Sequence, residues 1–448
     1  MASIGSTFCP TTPVFFSSSS SNVEEKGQNF YLYPKNKSSK ICIVASFSSS
    51  SKLLTQSTVS TSISTSTKTS SAERTSFGFK NLSETCWVDV QKAEGRPLNV
   101  ELNAPLSIGL MSLEKLENVA IRVELSNGCV GWGEIAVLPC VDAVDQTVAL
   151  AKAREACEFL SCSSPMTLSL VLDKVGGILP GTQFASVRAG VEMALIDAVA
   201  NSIDLPLWRL FGGVSNTLTT AITVPTILPE LSSKYCESGF KVLKFKIGKD
   251  VNAEIKALQA IQAAHPHCSF ILDANESYTP KQAEGVLQKL HDSGIRPAVL
   301  EQPVHRDDWK GLAEVTNFAR ANYGQSIAVD QTCQTLIDVR RVIKENSADV
   351  INIKLAKFGV MGALEIIELA RKSGIKLMIS STAETRLATG FAAHLAAGQG
   401  CFKYVVLDMP FLLSKDPVIC GYEASGPVYK FLNARGQGGF LTWEFSSW

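Results

Sequence analysis

The chain has 448 residues, 42 Lys or Arg against 42 Asp or Glu, and 45% hydrophobic residues. This size supports one or two buried cores, and the balanced charge gives no reason to expect nucleic acid or an anionic membrane as a partner. The 12 cysteines form no C-x-x-C pair, which favours reduced thiols over a disulfide scaffold or zinc module, and no apolar run is long enough to cross a bilayer.

Residues 1–75 form a leader of unusual composition. Runs such as FSSSSSN and STVSTSISTSTKTSS are almost pure Ser and Thr, and they lack the apolar periodicity needed to build a core, so we expect disorder. Such a segment is either a low-complexity linker or an organelle transit peptide, which is Ser-rich and poor in acidic residues. Because Arg74 is its only arginine, the plastid type fits better than the arginine-rich mitochondrial type. We predict a transit peptide that ends between about residues 45 and 85, and a location in the chloroplast stroma.

Residues 86–213 have the pattern of a small α+β domain. The segment NVAIRVEL alternates apolar and polar residues as a half-buried strand does. Asn127-Gly128 then marks a hairpin turn before GWGE. The later segments VDAVDQTVALAKAREACEFL and SVRAGVEMALIDAVANSI have apolar residues at three- and four-residue spacing, which predicts helices. The sheet therefore comes first and the helices follow.

Residues 217–410 repeat strand, loop and helix. The predicted strands are LTTAITVP, KVLKFKIG, SFILDANE, AVLEQPV, SIAVDQT, VINIKLAK, KLMISST and YVVLDMP. Eight parallel strands with helical crossovers close into a (β/α)8-type barrel. An open doubly wound sheet is the alternative, but no Gly-rich phosphate-binding fingerprint follows the first strand. The final segment, 411–448, is predicted to return and complete the N-terminal α+β capping domain.

Charged residues stand at or beside the ends of five successive predicted strands. They are Lys246, Asp273, Glu301, Asp330 and Lys354. The C-terminal ends of barrel strands carry catalysis, and three carboxylates on neighbouring strands repel one another unless a cation joins them. All-oxygen ligation suits Mg²⁺, with Mn²⁺ as a substitute. We predict one Mg²⁺ per subunit; the alternative is three separate surface acids at loop starts.

The lysines suggest a proton-transfer reaction. Lys244 and Lys246 alternate around one residue and so point to the same face of the second predicted strand. Lys354 ends the sixth strand, which lies opposite the second strand in an eight-stranded ring. One lysine would remove the proton beside a substrate carboxylate, and the opposite lysine would return a proton from the other face. The metal and Lys244 would stabilise the enediolate between these steps.

These motifs resemble the enolase superfamily. KFK, DAN, EQP, DQ and NIKLAK on successive strands are most similar to its muconate-cycloisomerase-type subgroup, and within it to dipeptide epimerases of the L-Ala-D/L-Glu type. The resemblance covers roughly residues 86–440 and implies these roles: acid/base catalysis by Lys246 and Lys354, Mg²⁺ ligation by Asp273, Glu301 and Asp330, and substrate contacts from Lys244 and Thr223. It also implies that the loop from Asn103 to Met111 acts as a specificity lid.

The chain departs from the resemblance at the eighth strand. Dipeptide epimerases of this type carry an Asp-x-Asp motif there that holds the substrate ammonium, whereas this chain has Val406 in place of the first Asp and retains Asp408. This replacement puts an Ala-Glu dipeptide in doubt, but not the proton-transfer chemistry. We predict Glu384, just after the seventh strand, as an additional polar contact to substrate.

Three functions fit these observations. The first is a Mg²⁺-dependent epimerase or racemase of a dipeptide or N-acyl amino acid. The second is an o-succinylbenzoate-synthase-like dehydratase or a cycloisomerase on the same scaffold. The third is a barrel kept for binding or assembly. The expected partner is a small-molecule carboxylate substrate, and the chain is a possible homo-oligomer.

Overall fold

The computed structural model describes residues 77–108, 111–138 and 144–444, so the leader and its predicted transit peptide lie outside the described residues. The first elements form a capping domain. They are α1 (Phe77–Thr85), β1 (Trp87–Val88), β2 (Val90–Ile108), β3 (Met111–Leu125), β4 (Val130–Ile135), α2 (Gln146–Cys162), β5 (Met166–Thr167), α3 (Leu168–Ile178), α4 (Ala185–Ser202) and α5 (Leu207–Leu210).

The capping sheet is an antiparallel meander of β2, β3 and β4. Its second hairpin turns at the predicted Asn127-Gly128, where Gly128 has φ +79° and the Asn127 side chain accepts a hydrogen bond from the Cys129 amide at 3.0 Å. That positive φ favours glycine because a side chain would meet its own backbone. The predicted lid, Asn103 to Met111, includes the end of β2 and the start of β3, and its residues 109–110 lie outside the described residues.

Two glycines of GWGE let β4 lie directly against α4. A Cβ added to Gly133 would lie 1.9 Å from the carbonyl oxygen of Gly190, and one added to Gly131 would lie 2.1 Å from that of Ala194. Both obstacles are backbone atoms of α4, which cannot move aside as a side chain can. The close approach of strand and helix therefore requires glycine at both positions.

Gly133→Ala is expected to lower the free energy of unfolding by about 3 kcal/mol, because the new methyl group must push β4 away from α4. Gly176→Ala is the matched control. Gly176 lies in α3 with nothing within 4 Å of an added Cβ, and alanine there should stabilise the helix by about 0.5–1 kcal/mol. Urea unfolding of both variants measures the two shifts, and equal midpoints would contradict the packing argument.

The barrel follows a short strand, β6 (Thr217–Thr219). Its elements are β7 (Ile222–Val224), α6 (Pro229–Glu237), β8 (Val242–Lys246), α7 (Val251–Ala264), β9 (Ser269–Asp273), α8 (Pro280–Asp292), β10 (Val299–Glu301), α9 (Trp309–Tyr323), β11 (Ile327–Val329), α10 (Leu336–Glu345), β12 (Val350–Ile353), α11 (Leu355–Ser373), β13 (Lys376–Ser380), α12 (Arg386–Gln399) and β14 (Phe402–Val406).

The eight strands from β7 to β14 are parallel neighbours in chain order. The amide of Ala221, just before β7, donates to the carbonyl oxygen of Val405 in β14 at 2.8 Å, and the Leu407 amide donates to Oγ1 of Thr220 at the same distance. These bonds bring the last strand back to the first. The prediction of a (β/α)8-type barrel with a capping domain is confirmed.

The chain after the barrel adds a 3₁₀ helix (Met409–Leu412), β15 (Ile419–Cys420), β16 (Tyr422–Ser425), β17 (Val428–Phe431) and β18 (Gly439–Phe440). The predicted first barrel strand is split, because β6 pairs with β17 in a separate small sheet and only β7 belongs to the barrel. The ring of Trp443 contacts the ring of Trp132, in β4 of the capping domain, with centroids 5.4 Å apart.

In the part of the chain that the structure describes, no helix is long and apolar enough to span a membrane.

Candidate active site

A cavity opens at the C-terminal ends of the barrel strands. Its wall includes seven of the residues that the sequence singled out: Thr223, Lys244, Lys246, Asp273, Asp330, Lys354 and Asp408. They come from, or directly follow, β7, β8, β9, β11, β12 and β14. Since β8 and β12 are four places apart in a ring of eight strands, Lys246 and Lys354 approach the cavity from opposite sides.

Lys244 links two of the predicted metal ligands. Its ammonium nitrogen lies 3.0 Å from Oδ2 of Asp273 and 2.6 Å from Oε2 of Glu301. Glu301 is fully buried and is not part of the cavity wall, and its other oxygen accepts a hydrogen bond from Nδ2 of Asn352 at 2.7 Å. Both carboxylate oxygens of Glu301 therefore have partners, as a buried charge requires.

Asp330 pairs with two lysines at the start of α11. Nζ of Lys354 lies 2.7 Å from Oδ2 of Asp330, and Nζ of Lys357 lies 2.8 Å from Oδ1. Lys357 also donates to the Asp330 backbone carbonyl at 2.6 Å. The sequence analysis did not single out Lys357, although its place three residues after Lys354 puts the two side chains on one side of a helical turn.

The two predicted catalytic lysines have opposite shifts in pKa. Burial lowers the pKa of Lys246; Asp273 opposes this shift, and the ammonium groups of Lys244 and Lys354 add to it. Burial acts in the same direction on Lys354, but its contact with Asp330 outweighs burial and raises the Lys354 pKa. Of the two side chains, Lys246 is the one that more readily becomes neutral.

The backbone is held in an uncommon conformation just after β9 and just after β10. Asn275, which follows β9, has φ +42°, and Gln302, which follows β10, has φ +38°. Few non-glycine residues adopt positive φ, and such residues cluster at functional sites. Gln302 is fully buried, and its side-chain oxygen accepts from the Asp330 amide at 3.0 Å. It therefore ties the end of β10 to the end of β11.

The predicted magnesium ligands are three carboxylates on adjacent strands. In the described ranges, no three His, Cys, Asp or Glu side chains are grouped closely enough to hold a metal ion as they stand. Asp273, Glu301 and Asp330 instead have lysine ammonium groups as their counter-charges. The donor set itself fits Mg²⁺, because it offers buried carboxylate oxygens from three adjacent strands and neither nitrogen nor sulfur.

Asp408 and Val406 lie at the end of the eighth barrel strand. Asp408 is buried, and one oxygen of its side chain accepts a hydrogen bond from the backbone amide of Thr223 in β7. Val406 lines the cavity where the resemblance expects an aspartate. The apolar wall of the cavity also includes Leu106, Leu138, Met409 and Leu412.

Glu384 is not part of the cavity wall. It is 3% exposed, and burial together with the nearby carboxylate of Glu134 raises the pKa of Glu384 to about 8. Its predicted contact with substrate stays a prediction.

In the predicted lid, Leu106 lines the cavity, whereas Nδ2 of Asn103 donates a hydrogen bond to the Phe411 carbonyl at 3.4 Å.

Two buried glutamates of the capping domain hold barrel helices beside the cavity. Glu134, at the end of β4, accepts hydrogen bonds from the amides of Thr385 and Ala388 at the start of α12. Glu192, in α4, accepts from the Val360 amide where α11 bends at Gly359. Carboxylates are favourable at helix N-termini because free amides and the helix dipole meet there. Both glutamates therefore fix the capping domain to the end of the barrel that carries the cavity.

A closed parallel barrel with acids and lysines at its strand ends, covered by an α+β capping domain, defines an enzyme scaffold of the enolase superfamily. Residues 93–212 match the family model "Mandelate racemase / muconate lactonizing enzyme, N-terminal domain", and residues 228–423 match "Enolase C-terminal domain-like". The chain belongs to the mandelate racemase/muconate lactonizing enzyme family, which confirms the predicted superfamily.

Several relatives carry names that describe an activity. The L-Ala-D/L-amino acid epimerase of Populus trichocarpa is 60% identical over 82% of this chain and 88% of its own length. A substrate-liganded structure of the L-Ala-D/L-Glu epimerase from Bacillus subtilis has a TM-score of 0.74 at 30% identity, and covers 79% of this chain and 99% of that chain. A dipeptide epimerase from Enterococcus faecalis V583, solved with Mg and L-Leu-L-Tyr, has a TM-score of 0.72 at 29% identity, over 78% and 99%.

Proposed function

We propose that the protein is a Mg²⁺-dependent dipeptide epimerase that inverts the carbon next to the substrate carboxylate by a two-lysine mechanism. The observation that carries the proposal is the placement of Lys246 and Lys354 on opposite strands of one cavity, with the acids between them. The poplar and bacterial relatives support the same reaction class. A plastid location is part of the proposal and rests on the Ser/Thr-rich leader and on the plant origin of the poplar relative.

Each lysine has a distinct task in this mechanism. Lys246, whose pKa is lowered by burial, takes the α-proton from the substrate enantiomer that presents it to β8. Lys354, whose pKa is raised by Asp330 in spite of burial, remains protonated and returns a proton to the opposite face. The opposite enantiomer reverses these tasks, and Lys244 adds positive charge beside the substrate carboxylate.

The metal site in this proposal consists of Asp273, Glu301 and Asp330, with one Mg²⁺ per subunit. Mg²⁺, when bound, would neutralise the substrate carboxylate and the negative charge that develops on it during proton removal. Lys244, Lys354 and Lys357 hold the counter-charges of these acids in the structure. These three side chains must give up part of their contacts when the acids bind a cation, because each carboxylate oxygen offers a limited number of lone pairs.

The substrate is a dipeptide with an apolar side chain. Six apolar residues line the cavity: Leu106, Leu138, Ala356, Val406, Met409 and Leu412. An apolar wall cannot pair with a glutamate side chain, and an unpaired buried charge is costly. The Enterococcus relative solved with L-Leu-L-Tyr supports an apolar substrate as well.

The test is proton exchange in D₂O with Mg²⁺ and a panel of Ala-X dipeptides, followed by NMR and optical rotation. Exchange with inversion is expected, and kcat/KM for Ala-Leu or Ala-Phe should exceed that for Ala-Glu by about tenfold or more, since burying a charge without a partner costs several times 1.4 kcal/mol. Loss of water from a cyclohexadiene acid, without dipeptide exchange, would instead indicate the dehydratase. If no carboxylate substrate exchanges its α-proton, the barrel serves binding and the proposal is wrong.

A further inference from the structure

Two cysteines contact each other at the end of the barrel remote from the cavity. Cys236 lies in the last turn of α6, and Cys268 immediately precedes β9. Their sulfur atoms are 2.9 Å apart, although the residues are separated by 32 positions in the chain. A disulfide joins sulfur atoms at about 2.05 Å, so a further approach of roughly 0.9 Å would complete the bond.

The surrounding contacts hold this pair in place. Nε2 of His265, at the end of α7, lies 2.7 Å from Oγ of Ser233 in α6. The sulfur of Cys268 also lies 3.6 Å from the carbonyl oxygen of Phe240, whose ring packs on Tyr235 at 5.9 Å. The first contact joins α6 directly to the connection from α7 to β9, and the other two join them through Phe240. These contacts hold the two sulfur atoms close to each other in the folded protein.

We propose that Cys236 and Cys268 form a reversible intramolecular disulfide. Both residues are half-buried, so a small oxidant can reach them. The oxidant class is a low-molecular-weight disulfide such as glutathione disulfide. One cysteine thiolate attacks it, forms a mixed disulfide and releases one glutathione; the second cysteine then attacks the protein sulfur and releases the other. The two cysteines are oxidised, the glutathione disulfide is reduced to two thiols, and the two cysteine protons pass to these thiols.

Burial slows the reaction of one of the two thiols. Burial raises the pKa of Cys236 to about 12, and the neighbouring Cys268 adds to this effect. The Cys236 thiol therefore keeps its proton at neutral pH, and only a thiolate attacks a disulfide. Attack by Cys236 is therefore expected to be slow at neutral pH and faster as the pH rises.

The bond would stabilise the barrel without changing catalysis. It would close a loop that contains β8 and α7, and a closed loop restricts the unfolded chain more than the folded one. Asp273 ends β9 at the cavity, whereas Cys268 precedes its first residue. The reacting groups therefore lie at the opposite end of the strand from the new bond, and this inference does not depend on the proposed function.

The experiment uses the full chain equilibrated in reduced and in oxidised glutathione buffers, then digested with trypsin without reduction. Tryptic peptides 235–241 and 257–281 contain one cysteine each, so their linkage assigns the bond. We expect the linked pair only in the oxidised sample, with a mass lower by two hydrogen atoms, and a rise in Tm of about 5 °C that dithiothreitol reverses.

Variants separate this bond from other thiol chemistry. Cys236→Ser and Cys268→Ser should each lose the linkage and the rise in Tm, while Cys162→Ser, at an exposed cysteine of the capping domain, should keep both. The proposal is overturned if the two peptides of the unmodified chain each carry glutathione, or stay free in the oxidised buffer. Linkage without any change in Tm would overturn the stabilising role. Because peptide mapping needs only the unmodified chain, the test holds even if a serine variant fails to fold.

Discussion

Replacing either Lys246 or Lys354 with alanine is expected to lower the rate of epimerisation by about 10³-fold or more, because each lysine is the only proton carrier proposed for its face of the substrate. The two losses should differ in kind. Lys354→Ala retains Lys246 and should still exchange the α-proton of one substrate enantiomer for deuterium. Lys246→Ala retains Lys354 and should exchange only the α-proton of the other enantiomer. NMR of each pure enantiomer in D₂O measures these rates.

The controls are lysines on the same elements but away from the cavity. Lys241 is exposed just before β8, and Lys372 is exposed in the last turn of α11. Lys241→Ala and Lys372→Ala should keep full activity. The two-lysine mechanism fails if Lys246→Ala and Lys354→Ala both keep full activity, or if both exchange the same enantiomer, because either result removes the assignment of one lysine to each face.

Asp273→Asn is expected to remove the response of the protein to Mg²⁺ and to lower kcat by on the order of 10³-fold, since a bound metal supplies several kcal/mol of charge stabilisation. In the unmodified chain, Mg²⁺ at 100 times its Kd should add about 2.7 kcal/mol to stability. The asparagine keeps the shape of the side chain and can still accept the hydrogen bond that the Asn275 amide donates to Oδ1 of Asp273 at 3.1 Å. Its loss of charge is therefore the main change.

Thermal unfolding with and without Mg²⁺ gives a measurement of this site that does not depend on activity. Asp292→Asn is the control, because the Asp292 side chain is 67% exposed at the end of α8. It should show the same Mg²⁺-dependent rise in Tm as the unmodified chain, and EDTA should abolish that rise in both. An Asp273→Asn protein that responds to Mg²⁺ as the unmodified chain does would show that the ion binds elsewhere.

The clearest agreement between sequence and structure concerns the ends of the barrel strands. Lys246, Asp273 and Glu301 end β8, β9 and β10, and Asp330 and Lys354 follow β11 and β12 by one residue. A βα unit has a characteristic length, and its strand is a short apolar run. Both features can be recognised from a short stretch of the sequence. Once eight such units close into a ring, the positions of the end residues around the axis follow from strand order alone.

Side-chain partners could not be predicted in this way. Lys357 pairs with Asp330, and Asp408 binds the amide of Thr223 across 185 positions of the chain. Glu384 stays a predicted substrate contact, and the sequence did not indicate that it lies outside the cavity wall. Whether a polar residue near a strand end faces the cavity depends on the loop that carries it, and loop conformation has no period to detect.

By itself, the sequence determined the barrel, the capping domain and the set of acids and lysines at the strand ends, because strand length and helix period are local properties. The resemblance of the strand-end motifs indicated the family. Only the tertiary structure decided which charges pair, which side of β4 meets α4, that β6 leaves the barrel for a separate sheet, and that Cys236 meets Cys268. These contacts join residues far apart in the chain, and the packing of whole elements against one another, rather than any spacing along the sequence, sets their distances.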